Sequence, residues 1–279
     1  MSAFIGISHS PLRSVRPDGG DGTFARAIAE VRAALKHMKP DLVVFFGPEH
    51  RRTLADVVPP FSVVTGSARG YGDWGTPETD YAVHAEHAET LLRGLGAEGF
   101  DVARGRRMVL DHGFGESFVD LFGTLDACPV VPVIINCAQP PLPSFERTLA
   151  LGEAVGRIAR AFEGSTLFIG SGGLSHDPPL TEEAGSLSEG ERVTRTTQAP
   201  PRIDEPWDRR VLAGFAAGDW AFLRTLNDAS VAPAGTGAHE VRTWLAAFAA
   251  SGVVSATTHY EPVDAWITGM GIAWGGLQP

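Results

Sequence analysis

The chain has 279 residues, 43% hydrophobic and 20% charged, the proportions of a soluble globular protein long enough to bury a proper core without disulfides or a structural metal. A formal net charge of -10 and an isoelectric point near 5.3 argue against a surface made for nucleic acid or an anionic membrane. Cys128 and Cys137 offer neither a disulfide framework nor metal-type pairing. The N-terminal apolar run is short and has no basic stretch before it, and no uncharged segment is long enough to cross a bilayer, so a soluble cytoplasmic protein is expected.

Short apolar runs alternate with amphipathic segments along the chain. Ala3–Ile7, Leu42–Phe46, Val130–Ile135 and Thr166–Ile169 are rich in β-formers without strict alternation, which predicts strands covered on both faces. Phe24, Ala27, Ile28, Val31, Leu35 and Met38 recur at helical spacing and Pro40 ends the pattern. A second helix is expected from about Tyr81 to Ala97 and a third from about Phe145 to Phe162. This order predicts an α/β fold: a single domain, residues 1–279, with a mostly parallel or mixed central sheet and helices on both faces. Thr181–Asp204 is polar and lacks apolar periodicity. It is expected to be a mobile loop inside that domain, either a surface insertion or an active-site lid, since helical patterns resume at Trp207.

In an open α/β sheet, ligands bind beyond the carboxyl ends of the strands. His9 follows the first expected strand, His50 the second and His176 the fourth, and this shared position is what singles them out. His112 lies in a glycine-bearing loop, Leu110-Asp111-His112-Gly113-Phe114-Gly115, before an apolar helix. Glu240 falls in the first turn of a helix ending near Ala250, where a carboxylate is favourable on charge grounds alone. Two histidines and a carboxylate form the facial triad of non-haem Fe(II) oxygenases, and the same set holds hydrolytic zinc. The residues therefore point to a metal site and leave the metal open.

Four stretches resemble the type III extradiol ring-cleavage dioxygenases, the superfamily of the protocatechuate 4,5-dioxygenase β subunit. They are Ser8-His9-Ser10-Pro11-Leu12, Asp111-His112-Gly113-Phe114, Gly170-Ser171-Gly172-Gly173-Leu174-Ser175-His176, and His239-Glu240 followed by Thr243-Trp244. The resemblance implies an Fe(II) enzyme that opens a catechol-type ring with O2. It assigns His9, His50 and Glu240 to the metal and His112 and His176 to proton transfer, with Asp111 at most an orienting group. Two departures, Arg51-Arg52-Thr53-Leu54 after His50 and a shortened loop after His176, bear on the substrate rather than the metal.

The partners this implies are a small aromatic diol and O2, with no nucleic acid and no membrane, and the protein is expected to be a homo-oligomer. Cleavage of a 2-aminophenol and zinc-dependent hydrolysis on the same His/His/Glu set are the alternatives. Arg13, Arg16, Arg51 and Arg52 follow the candidate ligands. Either all four are solvated, or one pairs with an acidic ring substituent. His84 and His87 stand three apart on an expected helix without a third ligand, so they are expected to be solvated. His37 and His259 are expected to be structural and His239 only a neighbour of Glu240.

Overall fold

The computed structural model describes residues 2–52, 54, 56–179 and 187–277. They form one α/β domain around an eight-stranded mixed sheet. The strands are β1 (Ser2–Ile7), β2 (Leu42–Gly47), β3 (Phe61–Gly70), β4 (Ala103–Leu110), β5 (Val130–Ile135), β6 (Thr166–Ser171), β7 (Thr257–Val263) and β8 (Thr268–Gly275), in the spatial order β4-β3-β5-β2-β6-β1-β8-β7. The central four, β5, β2, β6 and β1, are parallel, and antiparallel pairs flank them at β3–β5 and β1–β8.

The helices are α1 (Leu12–Val15), α2 (Thr23–Met38), α3 (Ala85–Ala97), α4 (His112–Phe122), α5 (Phe145–Ala159), α6 (Glu189–Gln198), α7 (Glu205–Ala217), α8 (Trp220–Leu223), α9 (Asp228–Val231) and α10 (Val241–Ser251). Side chains of successive strand residues point to opposite faces, so β1 sends Ala3, Ile5 and Ile7 toward α2 and α4, and Phe4 toward α5, α7 and α10. In β2, Val43 and Phe45 join the first layer, Val44 and Phe46 the second. Both faces are covered, which is why these strands show no alternation in the sequence.

Between the expected strands and after the last of them lie strands that the apolar pattern did not mark out. β4 is an edge strand, Ala-Arg-Gly-Arg-Arg-Met-Val-Leu, with four of its residues exposed, and a charged edge discourages pairing with other chains. β7 carries Pro262 and β8 is glycine-rich. Helix α3 starts at Ala85, not Tyr81, because the Tyr81 N–H donates to Ala68 of β3, and Ala82 and His84 exchange backbone hydrogen bonds with Val130 of β5. The stretch Thr181–Asp204, expected as a mobile loop, has one helix among its described residues. It contains α6, opened by a capping box in which Ser188 and Glu191 satisfy each other's backbone N–H groups. Residues 181–186 of that stretch lie outside the described residues.

Helix α10 is buried on nearly every side. It reaches the sheet and α5 closely because glycines face it: a Cβ on Gly152 would lie 2.3 Å from the Ala246 carbonyl oxygen, and one on Gly156 2.3 Å from that of Ala250. Trp244 of α10 fills the space over Gly6 of β1 and donates from Nε1 to the Gly172 carbonyl at 2.8 Å. This packing fixes the start of α10, and with it Glu240, against the exits of β1 and β6.

Candidate metal centre

β1, β2 and β6 run in the same direction, so the turns that follow them meet at one sheet edge. His9, His50 and His176 all stand on those turns, although β6 is the sixth strand in the chain rather than the fourth. His112 is not in a loop but is the first residue of α4, whose N-cap is Asp111. Phe114 packs against Gly47 at the end of β2, and the Ser171 hydroxyl donates to the Gly113 carbonyl at 2.6 Å. These contacts bring the first turn of α4 to the same edge. Glu240 ends a short 3-10 helix, Thr236–Glu240, and is 3% exposed, so it is no solvated charge at a helix start.

The five side chains converge. The ligand nitrogens of His9, His50 and His112 lie within 4.8 Å of one another. Glu240 reaches His50 Nε2 at 3.0 Å, His9 Nε2 at 3.9 Å and His176 Nε2 at 4.0 Å. The Gly173 N–H donates to Glu240 Oε2, the oxygen that faces His9, at 2.8 Å. A Cβ on Gly172, which has φ +127°, would lie 2.5 Å from the same carboxylate. The paired glycines after β6 are therefore the space that Glu240 occupies.

Outer groups orient each ring. His9 Nδ1 lies 3.0 Å from the Ser171 hydroxyl, whose proton goes to Gly113. Ser171 can then only accept from His9, which leaves Nε2 with its lone pair. His50 Nδ1 faces Asp111 at 3.2 Å, and the same carboxylate takes the His50 backbone N–H at 2.9 Å. Asp111 thus orients His50 and not its neighbour His112. His112 Nδ1 donates to Asp73 at 2.7 Å, and His176 Nδ1 to the Leu174 carbonyl at 3.0 Å.

Burial, helped by the neighbouring histidines and opposed by Glu240, pushes His9 down to about 3, so its ring is neutral. Burial also acts downward on His50, but the carboxylates of Asp111 and Glu240 outweigh it and hold that ring well above the usual range. For Glu240, burial favours the neutral acid, yet the His50 hydrogen bond and the surrounding imidazoles win and keep the carboxyl well below its usual range. An ionised carboxylate beside imidazole nitrogens, with the outer nitrogens tied back to the protein, suits a divalent first-row metal.

Sequence reasoning missed two acidic residues that shape this edge. Asp73, on a 3-10 turn between β3 and α3, is 4% exposed and meets both His112 and, at 3.3 Å, Arg52 Nε. Asp208 of α7 receives the Ser175 N–H at 2.8 Å, the Ser175 hydroxyl at 2.6 Å and the Tyr260 hydroxyl at 2.6 Å, bracing the turn that carries His176. Burial raises its carboxyl to about 7. Both are far in sequence from what they support, and neither stands in a recognisable pattern.

The remaining histidines sit elsewhere. His84 caps α3 and stacks on His87 at 3.9 Å, and His87 stacks in turn on Phe162 at 4.2 Å, so both are half-buried packing residues rather than solvated ones. His259 stacks on Trp274, and His37 is exposed in the last turn of α2. His239 accepts from the fully buried Arg242 at 2.7 Å. Of the four arginines that follow the candidate ligands, Arg13 pairs with Glu116 and Asp120, and Arg16 donates to the Ala265 and Thr197 carbonyls. Only Arg52 of these lines the cavity above the histidines, and it is paired with Glu189 at 2.7 Å. That cavity measures about 80 Å³, several times the roughly 10–15 Å³ that houses one water.

Among the described residues, no helix is long and apolar enough to cross a membrane. A family model described as the catalytic LigB subunit of aromatic ring-opening dioxygenase matches residues 3–271. Curated relatives carry the name 2,3-dihydroxyphenylpropionate/2,3-dihydroxicinnamic acid 1,2-dioxygenase. One from Rhodococcus sp is 35% identical over 97% of this chain and 96% of its own length. Another from Klebsiella pneumoniae (strain 342) is 36% identical over 97% and 98%. A third from Rhodococcus jostii (strain RHA1) is 34% identical over 97% of each. With the match running from the first strand into the last, and a metal-type cluster where its motifs meet, this chain belongs to the family of catalytic subunits of aromatic ring-opening dioxygenases.

Proposed function

We propose that this extradiol dioxygenase uses Fe(II), held by His9, His50 and Glu240, to open a catechol-type ring, with His112 and His176 moving the protons. One observation supports this above the others: a single buried carboxylate lies between two histidines whose outer nitrogens are already engaged, and two further histidines line the same cavity. Bound iron would supply a site where both ring oxygens and O2 meet. What the chain itself contributes is orientation and proton transfer. His112 and His176 each have one nitrogen committed to a fixed acceptor, Asp73 or the Leu174 carbonyl, so each has the other nitrogen for a proton of the diol or its product. Ile267, Pro178 and Trp74 line the cavity around them and limit water.

The cytoplasm is the proposed compartment. Both cysteines are buried and free, as suits a reducing compartment, and the same conditions keep iron ferrous. Anaerobic loading with Fe(II), followed by oxygenated catechol, is expected to give a yellow ring-opened product with one O2 consumed per ring. An iron-loaded protein that consumes no O2 with any of a panel of catechols would sink the proposal.

Asp73 offers a finer test. Asp73→Asn keeps the shape but weakens the hydrogen bond that orients His112, and is expected to lower kcat by about 10–100-fold, the usual effect of losing such a support. Iron content should stay at the parental level. A kcat within twofold of the parent would show that His112 needs no carboxylate behind it.

A further inference from the structure

A second cavity adjoins the one above the histidines. It measures about 360 Å³ against about 80 Å³, and Trp266, Pro17, Ala25, Pro77 and Val119 contribute to its walls. The charges at its edge are spent on one another. Arg13 pairs with Glu116 at 2.7 Å and with Asp120, and its guanidinium lies 5.7 Å from the centre of the Trp266 ring. Among the described residues, Trp74 is the one that lines both cavities. Its side chain is the partition between them.

The backbone that carries this partition is unusual. Trp74 has φ +52° and stands between Gly72 at +81° and Gly75 at +79°. Left-handed backbone suits glycine, and a large aromatic residue stays there only where its surroundings hold it. Here they do. The buried Asp73 meets His112 Nδ1 at 2.7 Å and Arg52 Nε at 3.3 Å. On the other side of Trp74, the Thr76 hydroxyl and N–H both donate to the Asp73 carbonyl, at 2.7 and 3.0 Å. Thr76 also packs on α4, where a Cβ on Gly115 would lie 3.1 Å from its own. The turn is thus tied down before and after Trp74, and the half-buried indole meets the His112 ring edge-on with centroids 6.4 Å apart. A glycine at this position would satisfy the backbone with less strain. What tryptophan adds is a side chain standing between the two cavities.

We infer that Trp74 is a specificity-determining residue: its indole closes the catalytic cavity toward the larger one and confines the enzyme to single-ring catechols. Diols that carry a second aromatic ring beside the hydroxyls need the space beyond the indole and are excluded. The inference rests on the ring-opening reading above. The selection is by bulk and not by charge, and it works by a clash with the wrong substrate rather than by a contact with the right one. An anchored turn cannot yield to such a clash without moving Asp73, which would release His112.

Two measurements test this. In the iron-loaded enzyme, kcat/KM for 3-methylcatechol is compared with that for 3-phenylcatechol. The parent is expected to favour the single ring by at least about tenfold, the low end of what pocket size can discriminate. Trp74→Gly should shrink that ratio by at least about tenfold, chiefly through KM for the two-ring diol. Trp74→Phe keeps most of the wall and should stay close to the parent. Trp74→Gly/Ala25→Trp refills the second cavity from an exposed position on α2 and should restore the exclusion. Calorimetry with biphenyl-2-ol, which lacks the second hydroxyl and needs no turnover, should show tighter binding to Trp74→Gly than to the parent by a similar factor. Phenol should bind both alike. Equal parental efficiency on the two diols, biphenyl-2-ol affinity unmoved by Trp74→Gly, or a gain that survives Ala25→Trp would overturn the inference while leaving ring opening intact. Absence of turnover on both diols in every variant would strike at the ring-opening proposal, and the calorimetry would still decide the role of Trp74.

Discussion

Replacing Glu240 with glutamine is expected to strip the protein of iron and abolish turnover while the fold survives. Glutamine has the same shape and can still accept the Gly173 N–H that Glu240 holds at 2.8 Å, but it has no negative charge to place between His9 and His50. The alanine variant should lose iron equally and be less stable, because it leaves the Gly173 N–H buried without a partner, which costs about 1–3 kcal/mol. A helix-start charge in solvent would have cost much less. The burial of Glu240 is what separates the two variants. The check is iron per chain after desalting, O2 uptake with catechol, and the denaturant midpoint. Full iron and full turnover in Glu240→Gln would remove Glu240 from the ligand set.

The second large effect is expected at His112 and His176. His112→Phe and His176→Phe should each keep iron and lose at least about 10²-fold in kcat, the usual scale of acid–base catalysis. The parent should show a bell-shaped pH profile if one ring must be neutral and the other protonated, and each variant should lose one limb of it. His112 deserves the closer watch, because its ligand nitrogen lies as near to His9 and His50 as a metal ligand would, all within 4.8 Å. Its ring also stacks on His50 with centroids 4.4 Å apart. If His112→Phe lost its iron while Glu240→Gln kept it, the metal would belong to three histidines instead. His112→Asn, which returns a polar partner to the buried Asp73, separates loss of catalysis from loss of folding.

Much of the fold was legible before the structure because its central strands are continuous apolar runs and its main helices have apolar stripes at helical spacing. Leu42–Gly47 and Thr23–Met38 show this directly. Both signals are local, set by which side chains must leave water. The three histidines after β1, β2 and β6 were legible for the same reason, since parallel strands deliver their carboxyl ends to one edge. Tertiary structure alone decided the rest. The charged edge strand β4 and the polar helix α6 bury too little apolar surface to mark a sequence. They exist because β3 offers an unpaired edge and because Glu189 and Thr197 tie α6 to arginines more than a hundred residues away. The partners of the site residues were equally hidden: Asp73 for His112, Asp111 for His50, Ser171 for His9 and Asp208 for the turn of His176. A hydrogen bond depends on where two groups end up in space and leaves no periodicity in the chain, so only the folded arrangement of distant segments could reveal which carboxylate serves which ring.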